Sequence, residues 1–298
     1  MGIRKLLDLG TLGGQNSFAF GINNLGQIVG TSELESGQSR AFLWENGEMM
    51  DLGTLGGNFS QAFGINNLRQ VVGETQLENG QTHAFLWENG SMRDLGTLGG
   101  TFSRALRIND HGQVIGISQM SNGQGAAFLW ENDEMESLGN LDVRDINNLG
   151  HIVGVFSNST VSVHAFLWEN GEISDLGALG ADTNSSGAQG INDLVQVVGD
   201  SNQRAFLWEN GSMRDIGTLG GAFGFASDIN NLGQIVGNST LVTGEARATL
   251  WDGNRSINLG ILEGNTSSQA TAINDLGQIV GFSEGNGPTH AFLFNSAI

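Results

Sequence analysis

Three charged residues in this sequence stand where sibling segments place their smallest side chains. An Ile-Asn pair recurs along the chain, and the residue just before its Ile reads Gly21, Gly64, Arg107, Asp145, Gly190, Asp228 and Ala272. Arg104, Asp142 and Arg144 lie close by. Such a set could grip a polar ligand, because charges in a narrow, partly desolvated place interact more strongly than on open surface. It could also serve a glycan lyase or hydrolase, if two carboxylates stood at glycosidase separation. The bland reading is an ion pair, Arg107 with Asp145, between neighbouring structural units. Arg104, Arg107, Asp142, Arg144, Asp145 and Asp228 are the candidate ligand-binding residues, and no catalytic residue is assigned.

Other residue types offer less. The turns Asn109-Asp110, Asn192-Asp193 and Asn274-Asp275 supply one carboxylate each, whereas calcium takes roughly six to eight oxygens, several of them from carboxylates. Local hydrogen bonding by Asn and Asp is the expected role. His83, His164 and His290 fill a position where other segments have Arg40, Arg204 or Arg247, which calls for a cation or hydrogen-bonding partner rather than a metal ligand. His111 and His151 fall at turns. No nucleophile stands at recognisable spacing from a base, and the recurring LGG opens no helix, so it is no phosphate loop. Neither a cofactor nor a metal is expected.

What positions these residues is a repeat. Its anchor isoleucines are Ile22, Ile65, Ile108, Ile146, Ile191, Ile229 and Ile273, spaced 43, 43, 38, 45, 38 and 44 residues. A second motif, AFLW, begins at Ala41, Ala84, Ala127, Ala165 and Ala205, varied to ATLW at Ala248 and AFLF at Ala291. Each repeat reads as four strands. Strand A, as in 59–66, is small-residue-rich and ends in an Asn-Asn-Leu-Gly turn, where Gly26, Gly112, Gly150, Gly233 and Gly277 can take positive φ. Strand B is QIVG or QVVG. Strand C alternates Ala84 and Leu86 on one face with Phe85 and Trp87 on the other, so both faces need cover. Asn-Gly pairs at 46–47, 89–90, 170–171 and 210–211 lead into strand D, of mixed polarity, suited to an edge.

Four antiparallel strands recurring at this period match the blade of a β-propeller. An open solenoid would need polar capping repeats, and none is evident. The chain starts with a lone strand D (3–10) and ends with a lone strand C (290–294), which together complete a blade. The fold class expected is therefore all-β: one seven-bladed propeller over 1–298, with the N-terminal strand joining the C-terminal blade. The aromatics of strand C, from Phe42 and Trp44 to Phe292, are expected to fill the wedges between blades, about 150–250 Å² each, rather than to stack on sugars. The D-to-A and B-to-C loops should surround the mouth of a central channel and carry the candidate charges. The loop before blade 4 is cut to SLGNLD, the next is extended over 178–187, and the B-to-C loop of blade 5 shrinks to DSNQR.

The His-Ala-Phe of 83–85, 164–166 and 290–292, set among AFLWENG, DLGTLGG and INNLGQIVG, resembles the HAF-repeat family of bacterial proteins over essentially the whole chain. The resemblance implies an extracellular or periplasmic place and no particular activity. The chain departs from it at Arg40, Ala126, Arg204 and Arg247 in place of His, and at Phe294 in place of Trp. WD40 propellers are the nearest alternative, since Trp-Glu, and once Trp251-Asp252, close strand C, but the accompanying Gly-His dipeptide does not recur with it.

Composition narrows the partners. The net charge is −19 with only 12 Lys and Arg, which argues against nucleic acid and favours solubility, cation tolerance or a basic partner. There is no cysteine, one proline and 47 glycines, the punctuation of many tight turns. The opening residues are too short and polar for a signal peptide, and no apolar run reaches the roughly 18 residues of a membrane span. The sequence reading is thus a monomeric binding module for a glycan or protein, with a glycan-active enzyme or a purely structural surface protein as the alternatives, and with no nucleic acid and no membrane.

Overall fold

The computed structural model describes residues 5–157, 163–180 and 185–295. Within them lie 28 β-strands and no α-helix. The chain divides into two compact units, one of Leu9–Val143 and one of Arg144–Ile298 together with the first residues through Asp8.

The unit Leu9–Val143 holds repeats 1 to 3. In repeat 1, strands Gly13–Ile22, Ile28–Leu34, Ser39–Glu45 and Glu48–Asp51 form an antiparallel sheet in chain order. Repeats 2 and 3 build two more such sheets, which a single parallel pair, Phe102 with Thr82, joins into one of eight strands. Separate blades are expected from the sequence; the join arises because strand A of repeat 3 runs along strand C of repeat 2. In the other unit, repeats 4 to 6 each give a four-stranded sheet. Repeat 7 takes its fourth strand from the chain start, Leu7 opposite Leu293 and Asp8 opposite Phe292. That strand covers Leu7–Asp8; of the expected span 3–10, residues 3 and 4 lie outside the described residues.

Element boundaries differ from expectation where glycine misleads. Strand A begins earlier, at Gly56 or Gly99 rather than after the Gly-Gly pair. Much of the supposed loop SLGNLD is strand, because Glu134–Gly139 and Asp142–Ile146 leave two residues between them. Of the loop 178–187, residues 181–184 lie outside the described residues.

The repeated letters have local reasons. The Gly of each QIVG faces the Phe of AFLW, as Gly30 faces Phe42 and Gly73 faces Phe85. A Cβ on Gly30 would lie 1.9 Å from the Phe18 carbonyl oxygen and 2.9 Å from the Phe42 ring, so only glycine lets the strand and ring approach. In the Asn-Gly hairpins both residues have positive φ, 52° and 81° at Asn89 and Gly90, as the tight twisted turn requires.

The core is a series of inter-repeat clusters. Phe85 and Trp87 pack on Val29, Leu43 and Leu52 of the preceding repeat; Phe128 and Trp130 do so on Val72, Leu86 and Leu95. In the other unit Phe206 packs on Val153, Leu167 and Leu176, and Phe292 and Phe294 on Val236, Leu250 and Leu259. The strand-C phenylalanines are fully buried. The tryptophans are graded: Trp87, Trp130 and Trp251 are buried, whereas Trp44, Trp168 and Trp208 are only half-buried. Packing therefore explains the phenylalanines completely and the tryptophans in part.

Candidate interaction surface

The turn after strand A is a hydrogen-bonded wheel tooth. Asn192 accepts from the Leu194 and Gln196 N–H groups at 3.1 and 2.9 Å, and its amide donates to Gln196 Oε1 at 2.7 Å. The same amide donates to the Asn230 carbonyl of the next repeat at 3.0 Å. Asn23 and Asn66 do likewise toward Asn66 and Asn109, and Asn147 and Asn230 toward Asn192 and Asn274. The next residue adds a second tie. Asn148 N–H donates to Asp193 Oδ1 at 2.8 Å, Asp193 N–H to Asn231 Oδ1 at 2.9 Å, and Asn231 N–H to Asp275 Oδ1 at 2.8 Å. The Asn and Asp thus serve turns, as expected, and within each unit also fasten turns to their neighbours. Among the described residues no group of three His, Asp or Glu could hold a metal ion.

This fastening aims one residue outward. Leu25, Leu68, Leu149, Leu194, Leu232 and Leu276 occupy the same turn position and are 58 to 69% exposed; His111 takes that place in repeat 3. The sequence motif contains these leucines, but a repeated apolar letter reads as core, and nothing in the letters reveals that the turn points it into solvent.

The position after the leucine varies more. Gly26, Gly112, Gly150, Gly233 and Gly277 have φ of 72 to 79°. Arg69 replaces glycine at 63° and Val195 at 57°. A β-branched residue there is strained, by about 1–3 kcal/mol. Arg69 lays its guanidinium 5.6 Å from the ring centre of Trp87 and pairs with Glu45. Val195 brings no cation and packs against the core cluster that Trp208 also borders. Beside it opens a recess of about 400 Å³ lined by Leu194, Val195, Gln196, Trp208, Glu209 and Asn210. Gln196 holds Glu209 Oε2 at 2.8 Å, and Arg214 approaches Oε1 only to 3.7 Å.

Three of the candidate charges lie near these turns rather than at the D-to-A loops, whereas Asp142 opens its strand three residues after Gly139 of strand D. Arg107, Asp145 and Asp228 are each the next-to-last residue of strand A, so they stand beside the Asn turn, at the strand end away from the loop that enters it. Sequence order alone shows this once the strand direction is followed. Asp145 Oδ2 accepts the Ile191 N–H and Asp228 Oδ2 the Ile273 N–H, each at 2.9 Å across to the next repeat. Arg107 donates to the Phe63 and Leu106 carbonyls. The glycine at this position is itself a close-approach site: a Cβ on Gly190 would meet Asp228 Cα at 3.0 Å. Arg104 makes a two-point bond to the buried Glu74 at 2.8 and 2.9 Å and lies over Phe63 and Phe102. Asp142 and Arg144 are exposed on the short strand Asp142–Ile146.

The histidines find the partner their alternation with Arg implies. His83, His164 and His290 bind Asp94, Asp175 and Asp8 through Nδ1, at 2.9, 2.9 and 2.8 Å, and Arg204 binds Asp215 at 2.9 Å. Where strand D offers Asn258 instead of Asp, Arg247 turns to the Ala246 and Thr266 carbonyls. Elsewhere, burial raises the carboxyl pKa of Asp200 above its ordinary value, a shift opposed by a backbone bond from Gln203.

Solved structures resemble this arrangement. The β-propeller domain of the Trilobed protease from Pyrococcus furiosus, described as having an open velcro topology, superposes with TM-score 0.65 at 10% identity over 95% of this chain and 96% of that one. The chain has the β-propeller fold. A Mycobacterium tuberculosis puromycin-hydrolysing peptidase matches at TM-score 0.64 and 12% identity over 98% of this propeller and 54% of that chain, so the propeller spans about half its length. The WD40 propeller domain of Doa1 gives 0.54 and 13%, covering 96% of each. No family model and no curated protein matches the sequence, and the HAF-repeat resemblance rests on the motifs alone.

Proposed function

We propose that this chain is a non-catalytic binding module of the HAF-repeat type, a seven-bladed propeller closed by its N-terminal strand, working outside the cell or in the periplasm. It recognises a protein or glycan partner at its Asn turns, beside which Arg107 stands in one unit and Asp145 and Asp228 in the other. The exposed leucines carry this reading. An apolar side chain held in water at the same turn of nearly every repeat, by a hydrogen-bonded frame that would accept a polar residue equally well, is the mark of a surface kept for a partner. A glycan-active enzyme is the competing class. Asp145 and Asp228 each spend a carboxylate oxygen on a backbone N–H of the next repeat, which suits positioning rather than proton transfer. The test is to screen the intact protein against glycan and peptide arrays while assaying the same glycans for cleavage. Saturable binding without turnover supports the module, and turnover lost on replacing Asp145 or Asp228 by Asn would replace it with the enzyme.

A further inference from the structure

The recess of repeat 5 differs from its siblings in a way that names what it would take. In repeat 2 the guanidinium of Arg69 stands 5.6 Å over Trp87, and in repeat 3 that of Arg93 stands 5.1 Å over Trp130. The two indoles so covered are 4% and 8% exposed. Trp208 occupies the same strand position. The residue matching Arg69 is Val195, and the residue matching Arg93, opposite the strand-C leucine of the preceding repeat, is Ser174. Trp208 stays half-buried and walls the recess, with the carboxylate of Glu209 beside it.

We propose that this recess is a docking site for an arginine or lysine side chain of a peptide segment from another protein, with an aliphatic neighbour lying on Leu194 and the flanking Leu232. The inference rests on the reading of the chain as a binding module. The cation takes the place over Trp208 that Arg69 takes over Trp87, an arrangement in which the ring face attracts positive charge and the guanidinium stacks flat. Glu209, which like Glu88 accepts from the Gln of its own repeat, supplies a counter-charge beside Trp208, whereas Arg69 takes its own from Glu45 of the preceding repeat. Asp193 in the adjoining turn takes hydrogen bonds from amide groups of Asn148 and Asn231 and adds a second carboxylate next to Leu194 in the chain. A chain of net charge −19 draws a basic segment toward all of its surface and repels an acidic one. Leu194 and Leu232 are 65% and 69% exposed, enough apolar surface for a side chain next to the cation to cover.

The probe is a displayed library of random dodecapeptides selected on the intact protein, with two substitutions at one site as controls. Val195→Arg rebuilds the repeat-2 arrangement and plugs the recess from within. Val195→Gly restores the residue that most siblings use and leaves it open. Peptides enriched on the wild type are expected to pair Arg or Lys with an adjacent aliphatic residue. They should bind Val195→Gly within about twofold and Val195→Arg at least tenfold more weakly, and they should weaken as salt rises. Enriched peptides that bind Val195→Arg as tightly as wild type, or that lack a basic residue, overturn the docking site while leaving a binding module elsewhere on the surface. Concentration-dependent self-association abolished by Val195→Arg would assign the recess to a second copy of this chain instead. Failure of the intact protein to bind any peptide or glycan would remove the module reading itself.

Discussion

Replacing Asn192 by Ala probes the turn frame at the point where it meets the recess. The change deletes four hydrogen bonds at once: two from the turn N–H groups of Leu194 and Gln196, one to Gln196 Oε1, and one to the buried carbonyl of Asn230. The Asn230 carbonyl keeps the Gly233 N–H as a donor, so each of the four lost bonds counts for roughly 0.5–1.5 kcal/mol. The sum is about 2–6 kcal/mol, large for one polar substitution. Urea unfolding followed by tryptophan fluorescence should show the midpoint falling with the slope unchanged. A companion Gln196→Ala change should be non-additive with it, because the two side chains bond each other directly. A loss below about 1 kcal/mol, or full additivity of the pair, would mean that the Asn merely decorates the turn and that strand packing alone places Leu194.

Three further outcomes are expected. Gly199→Ala would drive a Cβ to 1.9 Å from the Gly187 carbonyl oxygen, so it should cost about 4 kcal/mol or more by thermal unfolding, and an unchanged melting temperature would refute the close-approach account. Asp200 holds its proton more tightly in the folded state than in the unfolded chain because burial disfavours its charge; its contribution to stability is therefore present below the unfolded carboxyl pKa and is lost as pH rises through the raised folded value. Asp200→Asn should remove that component from the pH dependence of the urea midpoint, and an identical pH profile would speak against it. Deleting residues 1–10 removes the pairing of Leu7 and Asp8 with Leu293 and Phe292, the buried Leu6 and the Asp8 bond to His290, with an expected loss of several kcal/mol and exposure of an apolar strand edge; unchanged stability and solubility would sink it.

How much of this was legible in the letters depends on which physical rule each residue obeys. Strand C was readable, because AFLW puts apolar groups on both faces and only an interior strand tolerates that. The Asn-Gly hairpins and the positive-φ glycines were readable for the same reason, each being a local steric demand. The Arg-for-His alternation foretold a partner and could not say which, since Asp94, Asp175 and Asp215 belong to strand D, eleven residues on in their own repeats and part of an unremarkable Asp-Leu-Gly or, at 215–217, Asp-Ile-Gly. The asparagines were read as turn formers; their inter-repeat bonds join residues 38 to 45 apart and depend on packing that no local rule contains. Three of the candidate charges were found by their departure from small siblings and assigned to the wrong strand end.

Val195 and Arg69 show how a repeat frame can diverge without unfolding. Every obligatory group of the turn is satisfied by Asn and the backbone, so the residue following the exposed leucine answers only to its positive φ. Glycine meets that demand freely; Arg and Val meet it at a conformational cost. In repeat 2 the cost is offset by a guanidinium that stacks on Trp87 and pairs with Glu45. In repeat 5 the cost is offset by apolar contact, for Val195 packs against the inter-repeat core that Leu179 and Trp208 also border. The same turn position is thus met by a cation in one repeat and by an apolar side chain in another, and where the cation is missing the half-buried Trp208 is left to a partner's side chain.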